Sequence, residues 1–405
     1  MKFWGVRILS IVLAAAFAFG LQSFVHSNLK DFSRLFVLAG LYVTLSVSLN
    51  LINGITGQFS IGHAAFYMVG AYSAGFLSTR LYPQVPFGPE LWMVLMMVFG
   101  ALCAALAGFV VGLPSLRLRG DYLAIVTLGF GEILRILVQN IEPLGGAYGL
   151  QVKPFGGPPQ TLWIVWILAI LCIAVCRNLL RTAHGLPFLA VREDEVASSA
   201  MGVNVPSTKV TAFVVGSAFA GAAGALLAHT ETFISPDTFK MDVSFIILTM
   251  VVLGGTGSIT GSVIAAVALF AIPEWLRNLQ DPVTKAAIQI PGPTLVASML
   301  AVVVAVALTK TVQDRYHGAK LKKVGLYAGA LLTGIVCQAI LAKVLGAFPG
   351  LASKSFEAAG LRMVIFAATL IILMLLRPQG IFAHHEFSWA WLARLVKGKD
   401  KVATT

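Results

Sequence analysis

The feature that most constrains this chain is a series of twelve apolar runs separated by short polar segments. An α-helix needs roughly 20 apolar residues to cross the hydrocarbon core of a bilayer, and most of the runs approach that length. A segment in lipid must satisfy its own backbone hydrogen bonds, which favours helices. The sequence therefore predicts an all-α fold, a polytopic integral membrane helical bundle of about 10–12 apolar segments with glycine-broken helices. The runs lie near residues 5–25, 34–52, 63–79, 91–112, 122–140, 161–176, 210–229, 243–253, 259–276, 293–309, 325–346 and 361–376.

Composition agrees with this prediction, since 58% of the residues are hydrophobic and only 11% are charged, a balance that excludes a soluble globular protein. The net charge of +12 is explained by an excess of basic residues on the cytoplasmic side of the membrane. If the N-terminus is cytoplasmic, the inner segments hold about twice as many Lys and Arg residues as the outer ones, as the positive-inside rule requires. We therefore predict no nucleic-acid partner and place both termini in the cytoplasm. All four cysteines lie in apolar runs, so no disulfide or metal site is predicted.

Three regions follow from this pattern. We predict a transmembrane permease domain over 1–380 and a basic cytoplasmic tail over 381–405, which either lies on the membrane lipid as an amphipathic segment or is disordered. Within 281–360, two apolar runs separated by a basic linker form an atypical extra region. The run at 5–25 is interpreted as the first span, because no clean signal-peptide cleavage site follows it.

The longest polar interruption, residues 177–209, predicts a cytoplasmic docking loop. Glu193 to Met201 contains no Gly or Pro and predicts a short helix, with Gly202 as the left-handed residue that ends it. Acidic residues in its first turn meet the positive end of the helix dipole. The next apolar helix is expected to begin at Val210. A helix this short cannot span a bilayer, so we expect it to lie across the end of the bundle.

Two stretches dense in glycine, Asn53–His63 and Gly254–Gly261, predict breaks in the helices, because each glycine costs a helix roughly 1 kcal/mol relative to alanine. Broken membrane helices are tolerated where the freed backbone lines a cavity or packs on protein. Each break is therefore either a wall of a translocation path or a tight turn between packed spans. The candidate path residues are Gly57, Gln58, Gly62, His63, Glu132, Gly254, Gly255 and Gly257.

Charged and ionisable residues within the runs have two interpretations each. Glu132 and Arg135 are three residues apart, close enough to pair on one helix face. They either hold helices in register or contribute to a substrate path. His63 and His229 lie near helix ends, where a satisfied or interfacial histidine is the alternative to a functional one.

Signatures of enzyme chemistry are missing from the sequence. It contains no GxxxxGK[ST] phosphate loop and no HExxH, GxSxG or EF-hand pattern. We predict no catalytic residue and no cofactor. What remains is passage of a solute, driven from outside this polypeptide or by an ion gradient acting through Glu132, Arg135 and Lys343.

Five blocks, in the same order along the chain, resemble the LivM type of permease, a membrane subunit of the bacterial branched-chain amino acid importer of the ATP-binding cassette class. They are Gly57–Phe66, Leu116–Glu132, Arg192–Glu195 with Gly202, Val251–Gly257 and Arg377–Gly380. Two departures accompany the resemblance. Four residues rather than three separate Ala197 from Gly202, and the 281–360 region is longer than the family normally has.

The resemblance implies an inner-membrane heterodimer with a LivH-type permease, two cytoplasmic cassette ATPases that hydrolyse the ATP, and a periplasmic binding protein that delivers Leu, Ile or Val. The chain itself is then not an enzyme. Related permeases carry urea or short amides, which leaves the solute open. The resemblance also implies that the polar loop docks on an ATPase through Arg192, Glu193, Asp194, Glu195 and Gly202, where charge selects the partner more than it adds affinity.

Overall fold

The computed structural model describes residues 2–82, 88–115, 118, 120–152, 158–231, 233–278, 289–291 and 355–357, with single positions between 293 and 380. These residues are almost entirely helical, which confirms the predicted fold class. The helices are α1 (Lys2–Asn28), α2 (Ser33–Asn50), α3 (His63–Leu81), α4 (Pro89–Ser115), α5 (Asp121–Asn140), α6 (Pro158–Arg181), α7 (Leu186–Glu193), α8 (Glu195–Ala200), α9 (Val205–Thr230), α10 (Met241–Gly254) and α11 (Ile259–Asn278).

Two short antiparallel strand pairs were not predicted. In the first, β1 (Leu150–Gln151) pairs with β2 (Phe233–Ile234), and in the second, β3 (Gln289–Pro291) pairs with β4 (Ser355–Glu357). Pairs of two or three residues give no hydrophobic alternation from which a strand can be predicted. They join loops and do not change the helical class.

Among the described residues, four helices are long and apolar enough to cross a membrane, namely Ser33–Ile55, Pro89–Pro114, Thr161–Arg181 and Val205–Thr230. The predicted runs near 293–309, 325–346 and 361–376 lie almost wholly outside the described residues, as does the tail 381–405. The predicted number of spans therefore stays a prediction.

Helices α2 and α9 are mostly buried, whereas fewer than half of the residues of α4 and α6 are buried. Exposed apolar side chains such as Leu102 and Leu106 on α4 suit a lipid-facing surface, because lipid tails are as apolar as leucine. The buried core is built around large side chains such as Phe66 of α3 and Phe213 of α9.

Helix α9 packs closely against α3 and α4 through small residues. Gly221 of α9 lies so near Gly70 of α3 and Ala104 of α4 that a Cβ atom on Gly221 would collide with the Cβ of Ala104. Small residues let backbones approach closely where no hydrophobic effect drives helices together. These three helices therefore pack with their backbones close together.

The chain divides into two compact units. The first comprises Met1–Leu269 with Gln379–Thr405 and contains α1 to α10, most of α11 and the first strand pair. The second comprises Phe270–Pro378 and contains the second strand pair. The predicted extra region 281–360 lies within the second unit, and most of it is outside the described residues.

Candidate functional site

The first glycine break follows α2 directly. Leu51–Ile55 form a π-helical turn, an irregular segment runs to Gly62, and α3 begins at His63. The amide of Gln58 donates to the carbonyl of Ile52 at 3.0 Å, so the chain curls over the end of the helix. The prediction that the helix breaks here is confirmed. Single π-helical turns within α-helices frequently occur at functional sites.

The second break separates α10 from α11. Helix α10 ends at Gly254, and Gly255 and Gly257 have φ angles of +111° and +91°. Residues with a side chain rarely adopt such angles, so glycine is required at both positions. Helix α11 begins at Ile259, after the amide of Ser258 donates to the carbonyl of Gly255 at 2.9 Å. This predicted break is also confirmed.

The two breaks meet, although they are far apart in the sequence. The amide of Gly257 donates to Oδ1 of Asn50, the last residue of α2, at 2.8 Å. Gly54 lies so close to Gly257 that a Cβ atom on Gly54 would collide with the Gly257 amide nitrogen and with Asn50 Oδ1. We call this meeting point, formed by Asn50, Gly54, Gly57 and Gly257, the glycine junction.

Arg192 of α7 reaches into the glycine junction. Its Nη1 donates to the carbonyl of Gly54 at 3.1 Å. A Cβ atom on Gly257 would lie 2.7 Å from the same Nη1, and a Cβ atom on Gly57 would lie 3.3 Å from the Arg192 Cα. The Arg192 side chain is only 24% exposed. The structure therefore joins three motifs that the sequence presents separately, and it turns Arg192 inward.

The segment between α6 and α9 corrects the predicted helix. A single helix from Glu193 to Met201 is wrong, because Asp194 interrupts it with an extended φ of −158°. Its carboxylate accepts hydrogen bonds from the amides of Val196 and Ala197 at 2.8 and 3.0 Å, which makes Asp194 the N-cap of α8. Gly202, with φ +84°, does follow the helix in the left-handed conformation, as predicted.

The start of α9 also differs from the prediction. The helix begins at Val205 rather than at Val210. Asn204 caps it, since its Oδ1 accepts from the amide of Ser207 at 3.0 Å, and Pro206 occupies the first turn, where its missing N–H is tolerated. We call residues 186–201, which include α7 and α8, the coupling segment.

A buried ion pair fastens the coupling segment to α9. Nζ of Lys209 lies 2.5 Å from Oε1 of Glu195, and the side chains are 4% and 29% exposed. The Lys209 carbonyl accepts from Nε2 of Gln58 at 3.4 Å, so this point also touches the first break. Glu193, in contrast, is 79% exposed, with its Oε1 3.6 Å from Nε of Arg192. The charged residues predicted to dock therefore face in different directions.

Several buried polar atoms of the first break have no hydrogen-bond partner among the residues that the structure describes. They are Asn50 Nδ2, Gln58 Oε1, Ser60 Oγ and His63 Nδ1. The other nitrogen of His63, Nε2, lies 2.9 Å from Ser48 Oγ, which itself donates to the carbonyl of Leu45. Ser48 Oγ therefore accepts from His63 Nε2–H, and Nδ1 carries a lone pair. So many unsatisfied buried polar groups within a few residues are unusual for a protein interior.

The first break rests on α5. Gly62 packs against the carbonyl of Thr127, where a Cβ atom would collide, and Thr127 Oγ1 accepts from the amide of Ile61 at 3.1 Å. Further along α5, Glu132 and Arg135 pair at 2.8 Å, as their spacing predicts. Arg135 also lies 3.8 Å from Asp237 in the 3₁₀ turn Pro236–Phe239. The contacts of Glu132 thus lead to the 3₁₀ turn rather than to the glycine junction.

The sequence model of the family described as branched-chain amino acid transport system / permease component matches residues 32–291, which contain the glycine junction and the coupling segment. The chain belongs to this family.

Individual relatives support this family assignment. The chain is 35% identical over 303 residues to the high-affinity branched-chain amino acid transport permease LivM of Escherichia coli, covering 67% of this chain and 68% of that protein. It is 36% identical to LivM of Salmonella typhimurium, covering 60% and 62%. The probable LivM of Methanocaldococcus jannaschii is 29% identical, covering 64% and 85%. No solved structure matches the chain.

Three residues of the permease site were not singled out from the sequence. In the sequence, Asn50 is marked only as a polar residue shortly before the first break. Lys209 is marked only as a charged residue beside an apolar run. Gly380 belongs to the Arg377–Gly380 block, and its place in the site was not foreseen. It has φ +80°, and a Cβ atom there would lie 2.5 Å from the Cα of Gly255. Gly380 therefore packs on the second break.

Proposed function

We propose that this chain is the LivM-type membrane subunit of an importer that carries Leu, Ile and Val inward, and that ATP is hydrolysed on separate cassette subunits docked on the coupling segment. The proposal rests on the difference between the two sides of that segment. One side holds the bundle through Arg192 and through the Glu195–Lys209 pair. The other side is exposed.

The exposed side combines apolar groups with one charge. Leu186, Val196 and Met201 are 63%, 67% and 85% exposed, and Glu193 lies beside them in the sequence. We call these four residues the docking face. Large apolar side chains exposed on a segment too short to span a bilayer suit burial against another protein. The single carboxylate suits selection of a partner by charge.

The translocation path, in this proposal, runs past the first break. Unsatisfied polar atoms of Asn50, Gln58, Ser60 and His63 support it, because buried polar groups in a membrane protein mark solute or ion pathways and are completed by water or solute. The proposed path residues are Gly57, Gln58, Gly62, His63, Glu132, Gly254, Gly255 and Gly257.

The remaining partners follow from the family. We propose a LivH-type permease as the second membrane subunit and a periplasmic protein that delivers the amino acid. We place the chain in the bacterial inner membrane with both termini in the cytoplasm, since this orientation puts the excess of Lys and Arg inside.

The test is purification of the complex encoded beside this chain and uptake of labelled leucine into proteoliposomes. Val196→Asp with Met201→Asp should abolish co-purification of the ATPases and ATP-driven uptake. Tyr148→Asp, at a residue that is 93% exposed in the 3₁₀ turn after α5, is the control for ATPase co-purification and should leave it unchanged. Undiminished ATPase binding by the double variant would refute docking on this face. Uptake of urea that leucine does not inhibit would refute the substrate.

A further inference from the structure

We infer that Arg192 is a positioning residue for transport, which ties the coupling segment to both glycine breaks so that movement of the segment opens or closes the glycine junction. This inference rests on the proposed function and reassigns Arg192. The sequence places Arg192 among the docking residues, whereas the structure directs its guanidinium into the bundle.

The chemistry of the acceptor suits a permanent cation. Gly54 lies in the π-helical turn that ends α2, where the unpaired carbonyls of a helix give its C-terminus a partial negative charge. The carbonyls of Leu51 and Ile52 accept hydrogen bonds from the backbone amides five and six residues further along the chain. The carbonyl of Gly54 accepts from Arg192. Because the guanidinium is always protonated, this bond persists at every physiological pH.

A single side chain contacts both breaks because glycine lets it approach. The Arg192 Cα packs on Gly57 of the first break, and Nη1 packs on Gly257 of the second. Gly257 is bonded in turn to Asn50 at the end of α2. Withdrawal of Arg192 would therefore remove one contact between the two breaks and leave the hydrogen bond between Gly257 and Asn50 in place.

The helix of the coupling segment is broken between Arg192 and the ion pair that fastens the segment to α9. Asp194, in an extended conformation, separates α7 from α8. On one side of it, α7 carries Arg192 at the glycine junction, and on the other side α8 is fastened to α9 through Glu195 and Lys209. Rotation of α7 about Asp194 would shift Arg192 while α8 stays in place. A few terminal residues that absorb a change in backbone angles are what a hinge requires.

The test compares leucine moved per ATP hydrolysed in the reconstituted transporter with its ATPases, partner permease and binding protein. Arg192→Ala should leave ATPase binding and hydrolysis in place but lower the leucine-to-ATP ratio at least tenfold, and Arg192→Lys should recover part of it. The matched control is Arg181→Ala, an exposed arginine at the end of α6, which should keep the wild-type ratio.

Two results with Arg192→Ala overturn the inference. One is an unchanged ratio in Arg192→Ala. The other is a loss of ATPase co-purification, which would make Arg192 a docking residue. If Arg192→Ala fails to accumulate in the membrane, Asn50→Ala tests the glycine junction from the other side, and an unchanged ratio in that variant overturns the inference equally. Failure of the wild-type complex to move leucine would instead overturn the proposed function.

Discussion

The ion pair between Glu195 and Lys209 predicts that replacing one partner destabilises the protein more than replacing the other. Glu195→Gln leaves the Lys209 ammonium, which is 4% exposed, without its counter-charge. Breaking a buried pair in this way costs about 3–5 kcal/mol, and we expect about 3 kcal/mol because Glu195 is 29% exposed. Lys209→Met should cost less, about 1 kcal/mol, because the Glu195 carboxylate that it leaves behind can be hydrated.

The double variant Glu195→Gln with Lys209→Met should be close to the wild type in stability, since an apolar replacement of a buried pair is often neutral. The assay is the apparent Tm of the purified protein in detergent. An unfolding entropy of about 2.1 cal/mol/K per residue gives a chain of 405 residues a shift of about 1 °C per kcal/mol, so Glu195→Gln should lower the apparent Tm by about 3–4 °C. Glu193→Gln, at a residue that is 79% exposed, is the matched control and should have no measurable effect.

Equal losses from Glu195→Gln and Lys209→Met would refute this reasoning, because the argument depends on the difference in burial between the two side chains. Strictly additive losses in the double variant would also refute it. Additivity would mean that the two charges do not interact, whatever the distance between them.

Three further predictions concern local packing. Gly62→Ala should lower the apparent Tm, because its Cβ would collide with the Thr127 carbonyl and overpacking costs about 1–3 kcal/mol. Gly129→Ala, which has open space around it, is the control and should be neutral or stabilising in the same assay. Asp194→Ala should remove about 1 kcal/mol from α8, seen as faster amide hydrogen exchange over that helix with no change over α9. Gly221→Leu should separate α4 from α9 and reduce the amount of folded protein in the membrane, measured by fluorescence-detected size exclusion.

Helix positions followed from the sequence wherever local signals were strong. The run predicted near 122–140 became α5 at Asp121–Asn140, because Gly120 precedes it and a polar segment follows it. Both glycine breaks were predicted for the same reason, since glycine density is a local property. The start of α9 was predicted five residues late, because Asn204 as a cap outweighs the polar residues that follow it.

The direction in which each side chain points, and the pairing of residues far apart in the chain, could not be predicted from the sequence. Arg192, Glu193 and Glu195 look alike as a charged cluster, yet Glu193 faces outward while its two neighbours hold the bundle. Which way each side chain points depends on where Asp194 interrupts the helix. The bond between Asn50 and Gly257 joins residues with no shared local signal.

Antiparallel pairing of β3 with β4 places Pro291 opposite Ser355, so the chain leaves and returns at neighbouring points, with strands about 4.8 Å apart. The family match ends at residue 291, where this excursion begins. An excursion whose ends adjoin can be gained or lost during evolution without displacing the chain on either side. An insertion or deletion between Pro291 and Ser355 can therefore leave the ends of β3 and β4 side by side.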